Sequence, residues 1–274
     1  MKVKIGLIQM SVLEDKHRNM ANAVEKVKAL AVAGADIIIL PEMFNCPYQN
    51  EYFPKFAEKE GGEAWKTLSA TAKENGVILV GGTMPEIDDE NRIYNTSYIF
   101  DRDGKQIGKH RKMHLFDIDI EGGQKFKESD TLSQGDQITV YNTEFCRIGT
   151  AICYDFRFPE LARLMVAEGA KIIIVPAAFN MTTGPAHWEL MFRQRAIDNQ
   201  VYTIGVAPAR NLESTYISYA NSIVVSPWGD IVFRMGELPA TEIVEIDLDL
   251  VDKVREELPL MKHRRTDLYK VELI

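Results

Sequence analysis

The sequence predicts an α/β fold in which two β-sheets pack together and helices cover their outer faces. Three observations support this prediction. Short apolar strands alternate with amphipathic helices along the 274-residue chain, a strand–helix–strand unit occurs twice, and the two copies share a stretch of similar sequence.

The first unit begins with "KVKIGLIQM", a strand from Lys2. The next segment, "NMANAVEKVKALAVAGA", has apolar residues at helical spacing and ends at Gly34, and "DIIILP" is a short apolar strand of the buried kind. In the second unit the strand "RIGTAIC" precedes the helix "PELARLMVAEGA", which has Pro159 at its start, and the strand "KIIIVP" follows.

The two units share a repeat. "GADIIILPEMFN" (Gly34 to Asn45) aligns with "GAKIIIVPAAFN" (Gly169 to Asn180), and eight of the twelve positions are identical. Either two helix-to-strand connections have converged on the same turn chemistry, or the fold consists of two pseudo-symmetric halves. We favour the second interpretation.

The remaining strands are joined in part by hairpins, for which "DRDGK" and "SPWGD" are typical turns. Near the C-terminus a short helix is broken at Pro259, and a basic tail follows that either crosses another subunit or stays solvated. Because no linker is visible, we predict one domain over residues 1–274, with the tail starting near residue 259. The other strands are "GVILVGGTMPE", "IYNTSYIFD", "QITVYNT", "VYTIGVAPA", "SIVVSPWGD" and "TEIVEIDLD".

Composition limits the possible partners. The 32 basic and 40 acidic residues give a net charge of −8, which argues against nucleic acid as a partner but leaves room for a small anionic ligand. No apolar stretch is long enough to cross a bilayer, and no signal-peptide cleavage site is visible. An odd, low number of cysteines (Cys46, Cys146 and Cys153) is typical of free thiols in a reducing cytoplasm, where we expect the protein to be.

Two residues with chemical potential directly follow predicted strands. Cys153 comes after "IGTAI", and Glu42 comes after "DIIILP", where the other copy of the repeat has Ala177. Because strand ends are where side chains converge in α/β folds, we expect the thiol and the carboxylate to meet. A cysteine nucleophile needs its pKa lowered or its proton removed. A helix N-terminus beyond Cys153 would help, as would an ammonium group.

A cluster of cations in "GKHRKMHLFD" could provide that ammonium group. This segment is predicted to be a loop, and spacing alone does not choose among its members or exclude a solvated basic loop. The candidates are Lys109, His110, Arg111, Lys112 and His114.

Three motifs in order, "LPEMF", "RKMHLFD" and "GTAICYDFRFPE", resemble the nitrilase superfamily of carbon–nitrogen hydrolases with its Glu-Lys-Cys triad. The segments "NCPYQNEYFP", "FDIDI", "FNMTTGPAHWEL" and "DNQVY" are similar to the omega-amidase branch. The resemblance covers nearly the whole chain. It implies a four-layer α-β-β-α sandwich in which Glu42, Lys112 and Cys153 share one pocket.

The resemblance also implies roles. Cys153 would attack an amide carbonyl, Glu42 would carry the proton, and Lys112 would stabilise the oxyanion together with the backbone N–H of Tyr154. Glu128 matches a second glutamate that would hold Lys112, although a surface carboxylate beside Lys127 is an alternative. We expect neither a metal nor an organic cofactor.

The omega-amidase resemblance implies short 2-oxo dicarboxylic acid monoamides as substrates, such as 2-oxoglutaramate and 2-oxosuccinamate. In an acidic protein the substrate carboxylate needs a local cation, and Arg157 can bind it through two parallel hydrogen bonds. Thr183 and Tyr48 would contribute hydroxyls at the same end of the substrate. The residues expected to bind substrate are Tyr48, Tyr154, Arg157, Phe179 and Thr183.

Several alternatives compete with this hypothesis. Arg157 could instead form a structural salt bridge with Asp155 or Glu160, and Asp155 could merely cap its turn. Cys46 could act as the nucleophile, but a small buried apolar residue is its simpler interpretation. A deaminated-glutathione-type amide could be the substrate, or the chain could be an inactive interaction module on the same fold.

The histidines allow two further alternatives. A Cys–His dyad could use His110, His114 or His187 as its base. A metal could bind His110, His114 and Asp117, but the predicted loop lacks the helix that makes such spacing meaningful. The family resemblance also implies a homodimer or a larger homo-oligomer.

Overall fold

The computed structural model describes residues 1–274, which form fifteen strands and seven helices. The strands are β1 (Lys2–Gln9), β2 (Ile37–Ile39), β3 (Ile78–Val80), β4 (Met84–Ile87), β5 (Ile93–Phe100), β6 (Gln106–Arg111), β7 (Asp117–Asp119), β8 (Lys125–Lys127), β9 (Thr139–Asn142), β10 (Arg147–Thr150), β11 (Ile172–Pro176), β12 (Tyr202–Val206), β13 (Ile223–Val225), β14 (Ile231–Arg234) and β15 (Ala240–Asp247). The helices are α1 (Lys16–Val32), α2 (Phe53–Phe56), α3 (Glu63–Asn75), α4 (Pro159–Ala167), α5 (Gly184–Asn199), α6 (Asp249–Glu257) and α7 (Leu260–His263).

Two large sheets contain most of the strands. The first has the order β15-β1-β2-β3-β5-β4, with β6 also paired to β5, and the second has the order β14-β13-β12-β11-β10-β9. Each sheet contains three neighbouring parallel strands, β1-β2-β3 in the first and β10-β11-β12 in the second. The short strands β7 and β8 form a separate hairpin.

The hydrophobic core is divided into layers. One buried cluster joins the inner faces of the two sheets and includes Leu7 and Ile39 from the first and Ile174 and Ile204 from the second. A second cluster packs α1 and α3 onto the outer face of the first sheet, and a third packs α4 and α5 onto the outer face of the second. The predicted four-layer sandwich is therefore confirmed.

The repeated sequence has the same geometry in both halves. Gly34 and Gly169 have φ angles of 91° and 93°, a region that side chains disfavour, and β2 and β11 begin three residues after them. Glu42 and Ala177 therefore occupy corresponding positions beyond the ends of β2 and β11. These features support the interpretation of two pseudo-symmetric halves.

The structure corrects two boundaries in the first half. The predicted helix from Asn19 begins earlier, at Lys16, because Asp15 accepts a hydrogen bond from the backbone N–H of Arg18 and caps the helix. The single predicted strand "GVILVGGTMPE" is two strands, β3 and β4, separated by the glycine pair Gly81 and Gly82.

The basic segment "GKHRKMHLFD" is not the loop that its sequence suggests. Its first half belongs to β6, which pairs with β5 and buries the side chain of His110. Lys112 directly follows this strand and has no solvent-exposed surface. The interpretation as a solvated basic loop is therefore wrong for these two residues.

The helix break near the C-terminus falls at Pro259, between α6 and α7, as predicted. Most of the residues beyond α7 are exposed. None of the helices combines the length and the apolar character required to span a membrane.

Gly82→Ala should destabilise the protein more than Gly76→Ala. Both glycines have a positive φ, but a Cβ at Gly82 would lie 2.2 Å from the carbonyl oxygen of Pro41, whereas nothing lies within 4 Å at Gly76. We expect a loss of about 1 to 2 kcal/mol in the free energy of unfolding at Gly76 from the left-handed backbone alone. At Gly82 overpacking adds about 1 to 3 kcal/mol. Urea unfolding measures both, and equal losses would contradict the prediction.

Candidate active site

The three residues of the predicted triad lie at strand ends and are buried. Glu42 lies three residues after β2, Lys112 directly follows β6, and Cys153 lies three residues after β10. Glu42 and Lys112 have no exposed surface, and Cys153 is 3% exposed. Strands from both sheets therefore bring them together.

Lys112 is the centre of a buried ionic cluster. Its Nζ lies 3.1 Å from Oε1 of Glu42 and 2.9 Å from Oε2 of Glu128. It also donates a hydrogen bond to the hydroxyl of Tyr48 at 3.0 Å, and that hydroxyl donates to Oε1 of Glu128 at 2.6 Å. One ammonium group thus neutralises only one of two buried carboxylates.

Glu128 enters the cluster from a short 3-10 turn after β8. Its side chain has no exposed surface, so the interpretation as a surface carboxylate is wrong. The backbone N–H of Phe116 donates to its Oε2 at 2.6 Å. The turn that directly follows the hairpin β7–β8 therefore contributes a side chain to the cluster, although this hairpin belongs to neither large sheet.

The cluster shifts the pKa values of its members. Burial lowers the pKa of Lys112, but Glu128 and Glu42 raise it by more, so the ammonium group stays charged. Burial raises the pKa of Glu42, Lys112 opposes this, and Glu128 adds to it, with a net rise. Glu42 is therefore a stronger proton acceptor than an exposed glutamate.

Cys153 is held as a thiol. Burial and the charge of Glu42 raise its pKa well above the ordinary value, and Lys112 opposes them only in part. The residue has a φ of 44°, which is rare for a side chain other than glycine. The backbone N–H of the next residue, Tyr154, donates to no acceptor in the chain. Of the two routes to a nucleophile, the structure favours proton removal by Glu42 over a lowered pKa.

Asn95, in the middle of β5, holds Glu42 and Lys112 together. Its Nδ2 donates to Oε1 of Glu42 at 2.8 Å, and its backbone carbonyl accepts from the N–H of Lys112 at 2.9 Å. The other oxygen of Glu42 accepts from the backbone N–H of Ala178 at 2.6 Å. Asn95 belongs to no sequence motif. The available signal was a run of three polar residues, Asn95, Thr96 and Ser97, inside the predicted strand "IYNTSYIFD", and polarity alone did not distinguish Asn95 from the other two.

Arg157 lies at the end of the 3-10 turn that begins with Cys153. Its guanidinium lies 4.8 Å from the ring centre of Phe179 and 5.6 Å from that of Tyr154, and it contacts Nδ1 of His187 at 3.0 Å. It forms no ion pair with Asp155 or Glu160, so the structural salt bridge considered as an alternative is absent.

The two hydroxyls expected beside Arg157 are engaged elsewhere. The Tyr48 hydroxyl belongs to the Lys112 cluster, where it bonds Lys112 and Glu128. The Thr183 hydroxyl donates to Oδ1 of Asn180 at 3.0 Å, so it can donate to a ligand only by giving up that bond. Tyr216 belongs to no sequence motif and was not among the predicted site residues, but its ring lies 4.5 Å from that of Tyr48 and its hydroxyl donates to the carbonyl of Ala178.

A cavity of about 50 Å³ borders Glu42 and Tyr48 and is large enough for water or ammonia. Cys46 lines it, but this thiol is fully buried in an aromatic cluster, and burial raises its pKa. The charges of Glu42 and Lys112 act on the pKa of Cys153, whereas the only charge that acts on the pKa of Cys46 is that of Lys16, which favours the interpretation of Cys46 as a packing residue.

The histidines have partners other than Cys153. Nε2 of His110 and Nδ1 of His114 both contact the carboxylate of Asp155, at 2.9 Å and 2.8 Å. His187 contacts Arg157. This pairing does not support a Cys–His dyad. The structure contains no group of three or more His, Cys, Asp or Glu side chains arranged to hold a metal ion.

Comparisons with known proteins agree with this geometry. The sequence pattern of the family described as carbon–nitrogen hydrolase matches residues 4–256. Omega-amidase NIT2 of Xenopus tropicalis is 46% identical over 271 residues, which cover 99% of this chain and 98% of that protein. Omega-amidase NIT2 of Homo sapiens is 44% identical over 270 residues, which cover 98% of each chain.

Solved structures share the fold. The crystal structure of Saccharomyces cerevisiae Nit3, described as a member of branch 10 of the nitrilase superfamily, has a TM-score of 0.89 and 43% identity. The match covers 96% of this chain and 97% of that one.

Asn95→Leu should raise the pKa of Glu42, because it removes a donor that stabilises the ionised carboxylate. NMR titration with ¹³C-labelled glutamate measures this pKa. Asn19→Leu is the matched control, since Asn19 is a buried amide that bonds only Leu13 and lies outside the cluster. An unchanged pKa in Asn95→Leu, or the same shift in both variants, would contradict this role of Asn95.

Proposed function

This chain belongs to the carbon–nitrogen hydrolase family, and we propose that it is an omega-amidase. It would hydrolyse the terminal amide of short 2-oxo dicarboxylic acid monoamides, such as 2-oxoglutaramate and 2-oxosuccinamate, to the dicarboxylate and ammonia. The observation that carries the proposal is the buried cluster in which Lys112 contacts Glu42 and Glu128 and its charge acts on Cys153. Full-length similarity to proteins named omega-amidase supports the substrate class.

In the first half-reaction Glu42 takes the proton of the Cys153 thiol as the sulfur attacks the amide carbon. The new S–C bond produces an oxyanion, which Lys112 and the free backbone N–H of Tyr154 stabilise. Glu42 then passes its proton to the nitrogen, the C–N bond breaks, and ammonia leaves. A thioester remains on Cys153.

In the second half-reaction Glu42 takes a proton from water as the water oxygen attacks the thioester carbon. The C–S bond breaks, the proton on Glu42 returns to the sulfur, and the product leaves as a carboxylic acid that loses its remaining proton to solvent. Glu128 keeps Lys112 charged and in place throughout, while Asn95 and the N–H of Ala178 orient Glu42.

Recognition of the distal carboxylate is assigned to Arg157. Support for this comes from its position four residues after Cys153, its half-buried side chain and its lack of a carboxylate partner in the chain. The rings of Tyr154 and Phe179 flank the guanidinium and would form the wall of the binding site. Thr183 would join through its hydroxyl after releasing Asn180, and Tyr48 would contact the amide end.

The proposal also covers the oligomeric state of the protein and its cellular compartment. We place the catalytic unit in one domain over the whole chain, in a cytoplasmic homodimer or larger homo-oligomer. Three unpaired cysteines support a reducing compartment. Exposed apolar residues on α5, Leu190 and Ile197, support a subunit contact.

Cys153→Ala should fold and release no ammonia from 2-oxoglutaramate. In the wild-type protein quenched during turnover, mass spectrometry should find the acyl group on the tryptic peptide 148–157, which contains Cys153. Cys46 and Cys146 lie in the separate peptides 29–55 and 128–147, so the three thiols are distinguishable. An adduct on peptide 29–55 would defeat the mechanism, and turnover only of a deaminated-glutathione-type amide would replace the substrate assignment.

Arg157→Met should lower kcat/KM for 2-oxoglutaramate by roughly 10- to 100-fold, the value of a hydrogen-bonded charge pair. The loss for a small neutral amide should be much smaller. Arg163→Met is the control, because it removes a nearby positive charge on α4 that bonds the Asp198 carbonyl. Equal losses on both substrates would show that Arg157 supports the fold and that another group binds the carboxylate.

A further inference from the structure

We propose that Asp155 is a positioning residue that fixes the ammonium group of Lys112 relative to the thiol of Cys153. Asp155 lies two residues after Cys153 in the same 3-10 turn, and its side chain has no exposed surface. The inference rests on the proposed function in so far as Lys112 and Cys153 act on the same carbonyl group of the substrate, Cys153 on its carbon and Lys112 on its oxygen.

The two oxygens of the Asp155 carboxylate bind two backbone turns, the one that follows Lys112 and the one that begins at Cys153. Oδ1 accepts from the backbone N–H groups of Met113 at 3.1 Å and His114 at 2.8 Å, the two residues that follow Lys112. Oδ2 accepts at 3.1 Å from the N–H of Ile152, the residue before Cys153. One rigid group therefore sets the separation of the backbone at Lys112 from the backbone at Cys153.

Two histidines complete the shell around this carboxylate. Nε2 of His110 bonds Oδ2, and Nδ1 of His114 bonds Oδ1. His110 lies two residues before Lys112 and His114 two residues after it, so Asp155 holds the chain on both sides of Lys112. His110 is held from its other side by Thr139 at 3.1 Å, and the ring of His114 stacks on Phe158 at 3.8 Å. The cap role expected for Asp155 thus describes only one of its five bonds.

No other hydrogen bond takes over this task. Every hydrogen bond that joins residues 110–116 to residues 150–158 ends on the carboxylate of Asp155. Burial raises the pKa of Asp155, but the bonds from His110 and His114 lower it by more, so the group stays ionised and keeps its acceptors available. The other contacts between the two segments are packing contacts, namely the ring pairs His114–Phe158 and Phe116–Tyr154 and the contact of Met113 with the cluster that contains Cys153. These contacts lack the directional geometry of hydrogen bonds.

We expect loss of the Asp155 hydrogen bonds to affect the rate of the reaction more than the stability of the fold. The oxyanion site needs the Lys112 ammonium and the Tyr154 N–H on the same side of the attacked carbon. A misplacement of 1 Å in such a site can cost about 10²-fold in rate. If the two turns slide apart, kcat should fall while recognition of the substrate carboxylate by Arg157 persists.

Asp155→Asn tests the proposal. The asparagine amide has the size of the carboxylate, but its NH2 group replaces one of the two accepting oxygens. This NH2 group would face either the N–H groups of Met113 and His114 or the N–H of Ile152, and a donor cannot bond another donor. We expect kcat per folded site to fall about 30- to 100-fold, with KM changed by less than about threefold. The pH profile of Cys153 alkylation by iodoacetamide should also move to higher pH. We expect this shift because the positive charge of Lys112 lowers the pKa of the Cys153 thiol, and this effect weakens if the ammonium group of Lys112 moves away from the sulfur.

Glu86→Gln is the matched control. Glu86 is another buried carboxylate, on β4 in the first sheet, but its partners are the side chains of Lys109, Arg111 and Thr96. This variant should lose stability and keep both kcat per folded site and the alkylation profile. If Asp155→Asn behaves like this control, Asp155 is only structural and the proposal is overturned.

The proposal can still be tested if Asp155→Asn does not fold or if the wild-type protein is inactive. Should Asp155→Asn not fold, Asp155→Glu keeps the charge and moves the carboxylate by one methylene, and it should show the same fall in kcat and the same alkylation shift. Unchanged values there would overturn the proposal. Should the wild-type protein hydrolyse none of the amides, the proposed function fails, yet the alkylation profiles still decide whether Asp155 sets the distance between Lys112 and Cys153.

Discussion

The arrangement of this protein depends on one buried ammonium group held between two buried carboxylates. Removing three charges from water is costly, and the mutual attraction of Lys112, Glu42 and Glu128 offsets that cost only with good geometry and further hydrogen bonds. The surrounding chain supplies those bonds from several elements: Asn95 from β5, the N–H of Ala178 after β11, and the N–H of Phe116 before β7. Burial, together with the uncompensated negative charge that remains, raises the pKa of Glu42 and makes it basic.

The pseudo-symmetric scaffold supports an asymmetric site. Glu42 and Ala177 hold equivalent positions in the two halves, and only one of them carries an ionisable side chain. The second half contributes instead the proposed nucleophile Cys153 and the backbone N–H of Ala178, which bonds Glu42 across the molecule. The core between the sheets keeps the two halves in register, so packing far from the site controls the distances within it.

Sequence patterns identified the residues whose position follows from local structure. Glu42 and Cys153 could be predicted from strand ends because the end of a short apolar strand is visible in the sequence. Lys112 could not be selected from its basic neighbours by spacing, since β6 carries few apolar residues and its pairing with β5 is a long-range contact. Asn95, the five bonds of Asp155 and the engagement of the Tyr48 hydroxyl depend on contacts between residues distant in the chain, which no local pattern records. Only the family resemblance connected Lys112 and Glu128 to the site.

The protonated state of Cys153 has a consequence for the lifetime of the protein. Oxidants such as peroxides react with thiolates, and a buried neutral thiol is a poor target for them. Burial and Glu42 keep the Cys153 pKa high, so in the proposed mechanism this sulfur becomes a strong nucleophile only while Glu42 is taking its proton. A geometry that delays activation in this way would also protect the sulfur from irreversible oxidative damage between turnovers.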